Sequence, residues 1–364
     1  MQSKYIPCIL FLLILLFFCG TSDKPYTIDY KDGVKYVHNH APLWGDTLKV
    51  ALEFVQKIGD LETLDENFQL FNPSDVVRDN EGNVFILDSG NFRVQKYNRN
   101  GEFMKSLGRK GPGPGEFGGA LYDMNLGVNN DLYIFDIMRE LIHIFSTEGK
   151  YVNQVRLSGS GLGYRVFSSG ELIFQNPIPV GLPKMPLDKH ILSVLDPEKE
   201  TAKGFGNKFR IFSNTNEADA ANVLMNRVVF DIDNENIIFS AYTCLNVIEK
   251  YSSDLTLELR FDRPLNFKVN ENPKNGRETT DVSMSLTCDS KGRIWISTAN
   301  TVLDMGYNNW DSKYFNLEIF NQDGVLLGSI PQPDLGKIRI YGDMLYIIDT
   351  GIEMCVYEYK IVEK

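Results

Sequence analysis

The feature that most constrains the fold is a repeat. Residues 71–108, FNPSDVVRDNEGNVFILDSGNFRVQKYNRNGEFMKSLG, hold four strand-length runs, Ser74–Arg78, Asn83–Asp88, Phe92–Tyr97 and Glu102–Leu107, separated by turns rich in Asn, Asp and Gly. Runs rich in Val, Ile, Phe and Tyr that break this often form a meandering antiparallel sheet. One such sheet cannot hide both of its faces, so the pattern has to recur. Ends of second strands mark six copies: Asp88 in NVFILD, Asp136 in DLYIFD, Gln175 in ELIFQ, Ser240 in NIIFS, Ser297 in RIWIS and Asp349 in MLYIID. The first two lie 136 − 88 = 48 residues apart, and the same offset carries Gly101 onto Gly149.

The sixth copy stops after its third strand, at Tyr357–Ile361, while Leu48–Ile58 precedes the first copy and runs into Gly59 as Glu102–Leu107 runs into Gly108. The N-terminal strand therefore supplies the fourth strand of the last unit, which removes the free edge that an open array would expose. The expected fold is all-β, a six-bladed β-propeller of four-stranded antiparallel blades over residues 48–364, closed by that strand. Residues 23–47 form a polar lead with a hairpin at Asp32-Gly33. A monomer is expected.

With 43% hydrophobic and 12% aromatic residues the chain of 364 is ordinarily globular rather than disordered. Its net charge of −11, without a Lys/Arg block, excludes nucleic acid as a partner. Only residues 1–22 leave the pattern: Lys4 precedes the apolar run Ile6–Phe18, too short for a membrane span and the right length for a signal-peptide core. Cys19 with the small residues after it is similar to the cleavage box of a bacterial lipoprotein, although Phe17 and Phe18 stand where that box has small residues. Lipidation at Cys19, ordinary cleavage near Gly20–Ser22 and an uncleaved anchor all remain open. The scattered Cys244, Cys288 and Cys355 read as small buried hydrophobes and not as a disulfide framework.

Pro73, Asp75, Gly82, Asp88, Arg93, Tyr97 and Gly101 make the first unit resemble an NHL repeat, and residues 30–361 resemble the six-bladed propellers exported by Bacteroidetes and related bacteria. The likeness is sharper in the first two units than in the third to fifth. The run from Gly108 to Phe117 is similar to the linker between blades in those proteins. The resemblance implies the fold and an Asp88–Arg93 tie between second and third strands; it implies no ligand.

The remaining motifs have structural readings. The glycine run lacks the following helix and the Gly-Lys-Ser/Thr of a phosphate loop. His38 and His40 share one face of a strand, but a zinc site there needs a third ligand that only His143, His190 or a carboxylate could supply, so they read as surface histidines of the lead. Asp79–Asn83 and Asp233–Asn236 are oxygen-rich without calcium-loop spacing, so they read as tight turns. No cofactor is predicted; calcium in the central channel, held from several blades, stays open.

Long segments gather at two kinds of connection, those between units (Gly108–Tyr122, Gly204–Arg227, Asp262–Asp281) and those between second and third strands (Asn176–Lys189, Asn300–Lys313). In a radial meander both emerge on one face, where binding resides. The candidate ligand residues there are Phe209, Arg210, Arg277, Tyr307, Asn308 and Trp310, aromatic platforms with amides and guanidinium groups suited to a peptide, a glycan or an envelope protein. A non-catalytic binding module on the envelope is the leading expectation, with no catalytic residue named. The alternative is a metal-dependent hydrolase or lyase of the lactonase kind. Cys19→Ser is expected to release the protein from membranes on fractionation; an unchanged membrane fraction would count against lipidation.

Overall fold

The computed structural model describes residues 24–157, 162–176, 190–199, 201–209, 216–303 and 310–364. Six antiparallel meanders stand in a ring, with strand order following the chain except where N-terminal strands join the sheets of blades 4 and 6. From the inner strand outward, blade 1 is Pro73–Arg78, Val84–Asp88, Arg93–Tyr97 and Phe103–Leu107. Blade 2 is Leu121–Leu126, Asp131–Asp136, Leu141–Ser146 and Tyr151–Arg156. Blade 3 is Leu162–Val166, Leu172–Gln175, His190–Asp196 and Thr201–Asn207. Blade 4 is Val228–Ile232, Ile238–Tyr242, Ile248–Tyr251 and Leu257–Phe261. Blade 5 is Ser283–Cys288, Ile294–Ala299, Phe315–Phe320 and Leu326–Pro331. Blade 6 is Lys337–Tyr341, Met344–Asp349, Cys355–Glu363 and, from the other end of the chain, Val50–Ile58.

The turns form for local reasons. Asp79 Oδ1 accepts the N–H groups of Glu81 (3.0 Å) and Asn83 (2.8 Å), so one side chain holds the turn between the first two strands of blade 1. Asp233 does the same for Glu235 and Ile237, and Asp289 for Lys291 and Arg293. The oxygen-rich motifs are thus turns that satisfy their own backbone. Second strands are buried on both faces, as in Val84–Asp88 and Ile238–Tyr242, because each blade lies between two others. The apolar core is accordingly distributed over the seams. Val77, Phe85 and Leu87 of blade 1 pack with Met124, Leu132 and Ile134 of blade 2, and comparable clusters fill the other seams.

Ring closure is as the sequence indicates. Val50–Ile58 pairs antiparallel with Cys355–Glu363, from Ile58↔Val356 to Val50↔Glu363. Gly59 and Gly108, which end equivalent outer strands, both take left-handed backbone (φ 102° and 72°). A Cβ on Gly59 would meet Leu70 at 2.7 Å, and one on Gly108 would meet Phe117 at 2.2 Å, so each linker folds an apolar residue back onto its glycine. Within the glycine run, the Gly111 N–H donates to the Phe117 carbonyl and the Phe117 N–H to the Arg109 carbonyl, and Glu116 pairs with Arg109. It is a self-closed turn between blades.

Three local readings need correction. The lead is not outside the sheets: the hairpin Tyr26–Lys31 and Val34–Asn39 extends blade 4 to six strands, pairing in parallel with its outer strand from Leu259↔Lys35 to Phe261↔Val37. Asn39 is its fastener, donating to the carbonyls of Asp262 and Gly324 and accepting from the Leu326 N–H. His38 bonds Asp262 (2.7 Å), whose hydrogen bond raises the imidazole pKa, and His40 bonds Thr27; the pair clasps the hairpin. Second, the outer strand of blade 3 continues through Gly204 to Asn207, so Phe205 is buried core against Tyr251. Third, the segment up to Arg227 contains a helix, Asn216–Met225, whose weak amphipathic pattern the strand periodicity around it concealed.

Ile58→Ala, at a fully buried position where the chain ends meet, is expected to lower unfolding stability by about 2–5 kcal/mol. Glu53→Gln, exposed on the same strand, should stay within about 0.5 kcal/mol. Chemical denaturation of both variants checks this, and equal effects would contradict closure by this strand.

Candidate functional site

The six inner strands line a central channel. On the face where inter-blade linkers and second-to-third-strand loops emerge, a cavity of about 470 Å³ opens between them. Every blade contributes to its wall, including Ser74, Tyr122, Arg165, Phe230, Met284 and Lys337. A second cavity of about 600 Å³ opens at the opposite end, among the tight turns that carry Asn129, Ser168, Asn234, Ser290 and Gly342. Arg165 and Arg339 line both cavities, which places them in the partition.

That partition is a buried charge cluster. Arg339 of blade 6 grips Asp75 of blade 1 through two parallel bonds, Nε to Oδ1 at 2.8 Å and Nη2 to Oδ2 at 2.9 Å. Lys337 Nζ reaches Asp75 (3.2 Å) and Asp123 of blade 2 (3.1 Å), and Arg339 also reaches Asp123 (3.4 Å). Across the channel Arg165 of blade 3 bonds Asp231 of blade 4 at 2.6 Å. The carboxylates also hold backbone: Asp75 accepts the Met124 N–H and Asp231 the Cys288 N–H. Where blade 5 meets blade 6 the same task falls to hydroxyls, Ser285 and Thr287 accepting the N–H groups of Ile338 and Ile340. Paired polar groups in a medium of low dielectric fix register strongly, since separating any pair strands a buried charge.

Burial alone would raise the Asp75 pKa, but Arg339 and Lys337 outweigh it and hold the carboxyl well below the usual carboxylate range. Lys337 is pulled down by burial and by Arg339, against the pull of Asp75 and Asp123. Burial pushes the Tyr122 phenol up, keeping it neutral. Asp123 Oδ2 is buried with no hydrogen-bond partner among the described residues.

The sequence-derived ligand residues are not brought together here. Phe209 packs its ring on Tyr242 (4.9 Å) and its N–H donates to Asn226, so it anchors the chain. Trp310 lies 5.8 Å from the Phe315 ring, half-buried. Arg277 is exposed on the short turn Gly276–Glu278. Arg210, Tyr307, Asn308 and Cys19 lie outside the described residues. Asp88 binds Arg93 at 2.7 Å and accepts the Phe71 N–H, a structural tie of strand to linker; in blade 2, Leu141 stands opposite Asp136 and the carboxylate caps Gly118 and Gly119 instead. Reading loops alone missed the channel set Tyr122, Asp123, Arg165, Arg227, Asp231, Lys337 and Arg339. A signal existed: the 48-residue offset carries Asp75 onto Asp123, placing a carboxylate at one position of two inner strands.

Asp75→Asn leaves Arg339 and Lys337 short of their counter-charge and is expected to cost about 3–5 kcal/mol of stability. Because the folded-state pKa of Asp75 is depressed, its contribution is fully present above the unfolded value near pH 4 and is lost as pH falls below it. Denaturation at pH 7 and pH 3 should therefore show a smaller gap between wild type and Asp75→Asn at the lower pH; a constant gap would contradict it.

A model of the NHL repeat matches residues 72–97. No curated protein matches the chain in sequence. Among solved structures, a member of the DUF4221 family from Bacteroides vulgatus superposes with a TM-score of 0.58 at 11% identity, covering 87% of this chain and 99% of its own. A "putative exported protein" from Bacteroides fragilis gives 0.55 at 14%, covering 87% and 96%. A gluconolactonase from Xanthomonas campestris gives 0.51 at 14%, covering 81% and 87%. At such identities the likeness is one of fold. The chain is a six-bladed β-propeller with an NHL repeat in its first blade.

Proposed function

We propose that this is an exported, envelope-associated binding propeller that takes its ligand at the channel mouth on the long-loop face. The observation that carries the reading is the convergence of all six inner strands on one open cavity of about 470 Å³, within the range of roughly 300–1,000 Å³ typical of small-molecule sites, above a rigid charged floor. Export rests on the apolar run Ile6–Phe18 and agrees with the description of the Bacteroides fragilis neighbour. Tethering at Cys19 would hold the protein at a membrane.

The channel chemistry favours binding over metal-dependent catalysis. Asp75, Asp123 and Asp231 are engaged by Arg339, Lys337 and Arg165, so these carboxylates are committed to ion pairs rather than free to ligate a cation. Among the described residues no three His, Cys, Asp or Glu side chains group as metal ligands, and no histidine lines the cavity to serve as a base. A likeness of fold alone carries no lactone or lyase chemistry to this chain.

The test is a ligand-observed NMR screen of small solutes, oligosaccharides and peptides, run on wild type, on Met284→Trp, which fills the cavity, and on Trp310→Ala in the outer loops. Hits lost in Met284→Trp and kept in Trp310→Ala are expected. The reverse pattern would return the site to the loops.

A further inference from the structure

Resting on the channel reading, the structure also indicates what kind of molecule fits. Four cations, Arg165, Arg227, Lys337 and Arg339, line the outer cavity, and three carboxylates, Asp75, Asp123 and Asp231, answer them. Among the described residues, the cation without a carboxylate partner is Arg227. It sits between the helix Asn216–Met225 and the inner strand of blade 4, held by its backbone: its N–H donates to the Leu224 carbonyl and its carbonyl accepts from the Thr243 N–H. Its guanidinium forms no ion pair with a carboxylate among the described residues, although the chain carries a net charge of −11. A half-buried arginine with no carboxylate partner among the described residues, at the wall of a cavity, has the chemistry to receive an anion.

The rest of the wall describes the body attached to that anion. Asn72, Ser74, Gln175 and Thr243 offer neutral amides and hydroxyls. Tyr122, 47% exposed, presents a neutral ring of the kind on which a sugar face stacks. Carboxylate matches the planar guanidinium fork through two parallel hydrogen bonds, which gives geometric selection as well as charge.

We infer that the outer channel cavity binds a small hydroxylated carboxylate of the sugar-acid class, with Arg227 receiving the carboxylate and Tyr122 the ring. Calorimetry on the full chain with D-galacturonate, D-galactose, D-galactosamine and inorganic phosphate tests this. D-Galacturonate is expected to bind at least tenfold more tightly than the other three, with Arg227→Gln removing that preference and Arg227→Lys restoring part of it. Arg277→Gln, outside the cavity, should leave it intact. Equal binding of D-galactose and D-galacturonate that is lost in Tyr122→Ala would overturn the anion inference while keeping the channel as a site. Stronger binding of phosphate or of D-galactosamine would overturn the ligand class. Failure of all four to bind would overturn the inference, and the solute screen above then decides the channel reading separately. Thermal unfolding of each variant at its wild-type midpoint confirms that the loss is local.

Discussion

Every blade has two apolar faces and needs a neighbour on both, so the ring has to close. Closure falls on blade 6 and on its seam with blade 1, and two unlike interactions secure it. At the rim of blade 6 the first strand of the propeller zips onto the last, Val50–Ile58 along Cys355–Glu363. At the axis the paired bonds of Arg339 to Asp75 cross from blade 6 to blade 1. The apolar seam contributes most of the energy, since fully burying an aliphatic side chain yields about 1.5–3 kcal/mol. The ion pairs contribute geometry, because a buried bidentate pair tolerates little displacement.

The same cluster links fold to function. It divides the channel into two cavities and gives the outer one a floor whose charges are spent on each other. On the proposed reading a ligand would meet a preformed surface and Arg227, which has no carboxylate partner among the described residues, and reorganisation on binding would be limited.

The fold was legible because its signals are local and repeated. Asp79, Asp233 and Asp289 set the same turn three times, and the alternation in NVFILD or MLYIID needs no distant partner to be recognised. The clasp of Tyr26–Asn39 on blade 4 was not legible, since it depends on Asn39 reaching Gly324 and Leu326, residues almost three hundred positions away. The helix Asn216–Met225 was hidden for a different reason: its apolar stripe is faint, and packing against the turn at Gly276–Glu278 supports it. The channel was hidden because its residues come from inner strands of different blades, tens of residues apart, so no window of sequence shows them together. Long loops with aromatics drew attention instead, and Phe209 and Phe205 proved to be packing.

The central claim is that the regular outer strands are scaffold and that recognition lies where the inner strands differ. A crystallographic fragment screen tests it most directly. The account predicts that polar acidic fragments collect in the outer channel cavity with a carboxylate on Arg227. An empty channel, with fragments gathered on the loops around Phe209 and Trp310 or on the outer strands, would contradict it.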